Sequence, residues 1–311
     1  MKNILPFLKL IRWPNLLIMA IILVVLRYGF LLPLGFETSL NPLWHSLFIL
    51  VTLLLAAGGN AVNDAHDVNA DRINKPVKMI IGKGITRDGA LFIGQFLLLL
   101  GAILGLVLGY FNEMLTFSYI FALSALLLWF YATTLKKTPF LGNLLIAFLA
   151  GLMVFNEAIF DVLYTLKTGD RAIQLQAVYV IMAVSAFSFL LTLSRELIKD
   201  LQDIEGDRAA GYKTLPITSG TLFPKILAIL LVMLVAAAIG VLAYKTILAH
   251  DWVSSIYLIL FVLVPLLYVI VKIAPASSPK ALGRISSIIK LVMLTGTIAV
   301  LVFTISLRLA F

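Results

Sequence analysis

The chain contains no cysteine, which removes disulfide frameworks and thiolate chemistry from consideration. Charge is also scarce: Asp, Glu, Lys and Arg make up 13% of the 311 residues, and histidine occurs only three times. With 62% hydrophobic residues and a mean hydropathy of +1.08, the composition excludes a soluble globular domain and defines a polytopic membrane protein. The net charge of +9 does not come with a basic stripe interleaved with aromatics, so nucleic acid is excluded as a partner. Membrane lipid is the expected surrounding.

Measured against the ~20 residues needed to cross the hydrocarbon, nine apolar runs qualify. They cover residues 14–34, 43–63, 90–110, 115–133, 140–162, 175–194, 222–244, 252–273 and 286–308. The first run lacks a small-residue cleavage site and precedes eight more, so it reads as a retained helix. Nineteen of the 24 Lys and Arg residues fall on the side of the N-terminus and five on the other, which predicts a cytoplasmic N-terminus and an opposite C-terminus.

The few acids are not scattered. Asn60, Asn63, Asp64, Asp67 and Asp71 repeat the intervals of Glu196, Lys199, Asp200, Asp203 and Asp207: three, four, seven and eleven residues from the first position. On a 3.6-residue helix each set falls on one face, and both lie at the cytoplasmic ends of spans, the second and the sixth. Unpaired carboxylates at a bilayer edge are costly, so the clustering points to a divalent cation. Arg72, Lys75 and Pro76 follow the first set, and Arg208, Lys213 and Pro216 the second. Carboxylates that hold metal beside cations suit a phosphorylated ligand, because Mg²⁺ binds through one or two carboxylates plus substrate phosphates. Diphosphate is the economical choice.

These residues resemble the UbiA superfamily of intramembrane prenyltransferases. The stretch Asn63-Asp64-Ala65-His66-Asp67-Val68-Asn69-Ala70-Asp71 is similar to its first aspartate motif, and Lys199-Asp200-Leu201-Gln202-Asp203-Ile204-Glu205-Gly206-Asp207 to its second. The resemblance extends over the whole chain, including the tract from Tyr131 through Lys136 to Asn143. The segment from Arg195 to Pro216 is most similar to the ether-lipid branch. One departure stands in the loop after the first motif, where Lys78 replaces an arginine and gives up bidentate phosphate geometry.

The resemblance implies an all-α integral membrane protein, nine transmembrane helices around a central cavity in one domain over residues 1–311. It implies an Mg²⁺-dependent transfer of a polyprenyl group, geranylgeranyl in the ether-lipid branch, from its diphosphate to the hydroxyl of a prenylglyceryl phosphate. An aromatic quinone or haem precursor is the alternative acceptor. Asn63, Asp67, Asp203 and Asp207 are the implied catalytic metal ligands, with Asn60, Asp64, Asp71 and Asp200 supporting them. Arg72, Lys75, Lys78, Lys136, Arg195, Lys199 and Lys213 are implied to grip the diphosphate, and Arg12 and Asn15 the acceptor. Trp129, Phe130, Tyr131 and Phe189 are implied to flank the prenyl chain, where ring faces favour an allyl cation.

Blander roles compete. A single Asp at a helix end is often a solvated cap, Lys136 and Lys137 suit ordinary cytoplasmic charge, and His66 suits a solvated surface position. Aromatics commonly form an interfacial belt, and the Gly101, Gly105, Gly109 ladder reads as helix packing. An ion-coupled transporter would need acids near the midplane, whereas the repeated acids sit at one end. A CDP-alcohol phosphotransferase would need an Asp-Gly-x-x-Ala-Arg signature, which is missing.

Overall fold

In the computed structural model, which describes residues 4–77, 79–82, 84–167 and 170–310, the long apolar runs are helices. In chain order they are α1 (Ile4–Leu10), α2 (Trp13–Val24, continued by a π-helical segment Val25–Leu31), α3 (Pro42–His66), α4 (Val68–Asn74), α5 (Arg87–Phe111), α6 (Leu115–Thr133) and α7 (Leu141–Glu157). There follow α8 (Arg171–Gln202), α9 (Ile204–Ala209), α10 (Leu215–Ser219), α11 (Leu222–Leu248), α12 (Trp252–Leu258), α13 (Val264–Ile273) and α14 (Pro279–Ala310). Among the described residues nine helical stretches are long and apolar enough to cross a membrane, and they coincide with the nine apolar runs. Lys78 and Lys83 lie outside the described residues.

Local chemistry sets several starts. Asn41 caps α3 by accepting from the backbone N–H groups of Leu43 and Trp44 at 3.0 Å, with Pro42 in the first turn. Thr86 caps α5 through Gly89 at 3.1 Å, and Asp251 caps α12 through Ser254 at 3.1 Å.

The chain divides into two compact units. The first comprises Met1–Ile21, Leu40–Ile146 and Asp203–Thr214. Here α3, α5 and α6 pack closely through small residues: a Cβ on Gly58 would stand 2.8 Å from the Gly94 carbonyl oxygen, and one on Gly101 2.9 Å from Leu55. The glycine ladder is thus the packing surface of α5. Leu10 of α1 is buried against Ala61, Ala65, Ile81 and Ala90, which holds the N-terminal helix to the end of α3 and the start of α5.

The second unit comprises Ile22–Ser39, Ala147–Gln202 and Leu215–Phe311. Within it α8 packs on α14, where Gly296 meets the Phe187 ring, and on α11, where Ser194 Oγ donates to the Ala228 carbonyl at 3.2 Å. Arg27 and Asp161, 2% and 1% exposed, form an ion pair inside this unit, each on a π-helical segment. Arg27 also donates to Thr38 Oγ1 at 3.3 Å. Glu157 and Asp161 are two acids within the fifth span, Leu141–Leu166.

The acidic sets do not run along one unbroken helix face. α3 stops at His66 and α4 begins at Val68, with Asp67 between them at φ −86° and ψ 1°. In the second set α8 stops at Gln202 and α9 begins at Ile204, with Asp203 at φ −101° and ψ 9°. Both sets break at the same member of the repeat, and a short helix follows each break.

Candidate active site

The two short helices after the breaks, α4 and α9, pack on each other in the first unit and bring the motifs together. Gly206 permits the approach, since a Cβ there would run into the Asn74 amide and the Ala70 carbonyl oxygen. The packing carries Lys75, at the end of the first motif, to the second: its Nζ lies 2.8 Å from Asp203 Oδ2 and 3.6 Å from Asp71 Oδ1.

Asp67 is the most enclosed acid of the group, 3% exposed. Lys136, on the turn after α6, is paired with its Oδ2, and Asn63 Nδ2 donates to the same oxygen at 2.7 Å. Tyr212 reaches its Oδ1 at 3.5 Å. The segment bearing Tyr212 is tied to the Lys136 turn, because the Lys213 backbone N–H donates to the Lys137 carbonyl at 2.9 Å and the Lys137 ammonium stands 5.8 Å from the Tyr212 ring centre.

Arg12 closes the other side of α3. It turns the chain between α1 and α2 at φ 55°, a left-handed conformation unusual for a side-chain-bearing residue, and its Nη2 sits 2.6 Å from Asp64 Oδ1. Asn60 Nδ2 donates to the Ile11 carbonyl at 3.2 Å, and the Asn15 backbone N–H to the Arg12 carbonyl at 2.8 Å. The docking of Leu10 beneath α3 is what brings this turn to Asp64.

Burial first, and neighbouring charges second, shift the titration of this group. Burial pushes the Asp207 carboxyl up to about 7; Lys136 pulls it down while Asp203 and Asp67 push it further up. Burial also raises Asp71, against the opposing pull of Lys75. The Tyr212 hydroxyl rises to about 12 through burial and the nearby Asp67 charge. Burial acts to lower both lysines, yet each is raised, Lys75 by Asp203 and Asp71 and Lys136 by Asp67. The cluster is short of positive charge.

A hard divalent cation fits that shortage. The Asn63 Oδ1 atom is buried without a hydrogen-bond partner on an amide that is bonded to the Asp67 carboxylate, and Asp67 and Asp203 act electrostatically on Asp207; oxygen donors of this kind are what Mg²⁺ takes.

Not every expected residue joins this group. Arg72 and Lys213 are exposed. Trp129 and Phe130 are exposed on α6, in line with Tyr119, Leu123 and Leu126. Tyr131, at the end of α6, is half-buried. In the second unit Lys199 Nζ binds both Glu196 carboxylate oxygens at 2.9 Å and Arg195 reaches one at 3.3 Å, so both cations are held by the acid of their own helix. Asp200 is half-buried on that helix, and Phe189 packs with its Cβ against Gly151. His66 is not simply solvated: its Nδ1 lies 2.9 Å from the Val62 carbonyl. Tyr212 and Asn74, which carry no signal in the acid spacing, belong to the site.

The sequence profile of the UbiA prenyltransferase family matches residues 22–288. The chain belongs to that family. It is 30% identical over 297 residues to the digeranylgeranylglyceryl phosphate synthase of Methanosphaera stadtmanae, covering 94% of this chain and 97% of that one. To the synthase of the same name from Methanobrevibacter smithii it is 32% identical over 230 residues, 74% of each chain. A solved structure described as digeranylgeranylglyceryl phosphate synthase in membranes superimposes with a TM-score of 0.64 at 26% identity, covering 98% of this chain and 99% of that one. A UbiA homologue from Archaeoglobus fulgidus, solved with GPP and Mg²⁺, shares the fold at a TM-score of 0.54 and 16% identity, covering 95% of this chain and 99% of that one. The all-α membrane fold and the prenyltransferase class expected from the motifs are those of the family.

Proposed function

We propose that this chain, acting as one catalytic domain, transfers a geranylgeranyl group from its diphosphate to the hydroxyl of geranylgeranylglyceryl phosphate in ether-lipid synthesis, with the site on the cytoplasmic side. The observation that carries the reading is near full-length similarity to digeranylgeranylglyceryl phosphate synthases in a chain whose two aspartate motifs share one cluster. Asn63 through Oδ1, with Asp67, Asp203 and Asp207, would hold Mg²⁺. Bound there, the ion supplies Lewis-acid neutralisation of the charge that develops on the departing diphosphate, worth several kcal/mol.

The chain's own groups do the rest. Lys75 and Lys136 exchange their carboxylate partners for phosphate oxygens when the donor enters, which keeps both cations neutralised throughout. As the donor C1–O bond breaks, its electron pair leaves with the diphosphate; the acceptor hydroxyl oxygen bonds to C1 and its proton leaves with the diphosphate. Tyr131, at the end of α6 and five residues before Lys136, would offer its ring face to the reacting carbon. Arg12, paired with Asp64 beside Asn15, stands ready for an anionic acceptor group.

The test offers purified protein labelled geranylgeranyl diphosphate and Mg²⁺, with geranylgeranylglyceryl phosphate and 4-hydroxybenzoate competing as acceptors. Label in a diether phospholipid supports this reading. Label on the aromatic ring overturns the acceptor.

A further inference from the structure

Asn74 is the last residue of α4, and its side-chain amide is bonded twice to the second motif. Its Nδ2 donates to the Asp203 backbone carbonyl at 2.9 Å, and its Oδ1 accepts the Gly206 backbone N–H at 2.9 Å. The orientation of the amide follows from its partners, because a carbonyl only accepts and an N–H only donates. Gly206 permits this close approach, as a Cβ there would lie 2.5 Å from the Ala70 carbonyl oxygen.

Asp203 is consequently held at two points by neighbouring residues. Asn74 fixes its backbone, and Lys75 binds its carboxylate at 2.8 Å. The two contacts differ in what they tolerate. The lysine contact uses the oxygens a metal needs, whereas the asparagine contact leaves them open.

We infer that Asn74 is a positioning residue of the metal site: it fixes the backbone of Asp203 so that the carboxylates of the two motifs face the same ion after Lys75 has turned to phosphate. The inference rests on Asp203 being a metal ligand, as proposed above. Asn74 itself touches neither ion nor substrate. It acts in the way that groups behind a metal's ligands do, where loss commonly weakens metal affinity about 10–100-fold.

The experiment measures Mn²⁺ binding to the full-length protein in detergent, without substrate, for Asn74→Ala, Asp203→Ala and the double variant. Each variant is first checked for a monodisperse elution profile. Asn74→Ala should weaken binding about 10-fold, Asp203→Ala at least as much, and the double variant no more than Asp203→Ala alone, because both changes act through one ligand. Additive losses, or unchanged affinity in Asn74→Ala beside a loss in Asp203→Ala, would overturn the positioning role and leave the metal site standing. Unchanged affinity in Asp203→Ala would instead remove the metal reading of Asp203, and the inference with it. Should Asn74→Ala not fold, Asn74→Ser replaces it under the same expectation, and failure of both to fold would make Asn74 a structural residue and overturn its role in metal binding.

Discussion

Lys75 Nζ stands 2.8 Å from Asp203 Oδ2, joining the end of one acidic repeat to the middle of the other across 128 positions of sequence. With Lys136 on Asp67 it gives each motif a resident ammonium group. These cations occupy carboxylate oxygens that a divalent ion would use, and they are also the groups best placed for phosphate. Their two roles make opposite demands on metal and donor.

Lys75→Met and Lys136→Met should therefore separate the two ligands. Without diphosphate, Mn²⁺ affinity should hold or rise, since a competing cation has gone. The KM for prenyl diphosphate should rise about 10-fold or more, in line with the loss of a charge-assisted hydrogen bond of roughly 1.5–3 kcal/mol. Calorimetric titration with Mn²⁺ and initial rates against donor concentration check the pair of outcomes. A parallel fall in both affinities would contradict the exchange of partners.

Asp67→Ala and Asp203→Ala should each reduce transfer by at least about two orders of magnitude, because several kcal/mol of leaving-group stabilisation goes with the metal. The variants should still extract as folded protein, judged by circular dichroism and elution volume. Chelation of the wild type with EDTA should have the same effect, reversed by added Mg²⁺. Activity close to wild type in either variant would remove the shared metal site.

Gly206→Ala tests the contact between the short helices. Its new Cβ meets backbone of α4 at Ala70, which cannot move as a side-chain tip can, so overpacking of about 1–3 kcal/mol is expected. A thermal unfolding midpoint lowered by a few degrees, together with weaker Mn²⁺ binding, is the predicted result.

Arg27 and Asp161 make a separate prediction about stability. Removing either partner leaves the other charge buried, so Arg27→Ala or Asp161→Ala should cost about 3–5 kcal/mol, while apolar replacement of Arg27, Asp161 and Glu157 together, Glu157 being bonded to Asp161, should recover much of it. Thermal denaturation in detergent compares the three.

The fold and the acids are legible in the sequence for the same reason: in so apolar a chain each span is a long uninterrupted run, and each charge stands out against it. The spacing of Asn63, Asp67 and Asp71 shows the motif but not the break at Asp67, because the 3.6-residue period still fits when a helix ends and another begins. Asn74 is hidden, since an amide in a basic loop has no period to mark it. Arg27 falls inside the first apolar run, and nothing in the sequence names its partner, which lies 134 residues away.

The central claim is that one metal and diphosphate site is assembled from both motifs, and the most direct test is an anomalous difference map of the protein with Mn²⁺ and a non-hydrolysable geranylgeranyl thiodiphosphate. The account predicts Mn²⁺ peaks among Asn63, Asp67, Asp203 and Asp207, with Lys75 and Lys136 turned from their carboxylates to the phosphate oxygens. Peaks elsewhere, or lysines that remain on Asp203 and Asp67 while the diphosphate is bound, would contradict it.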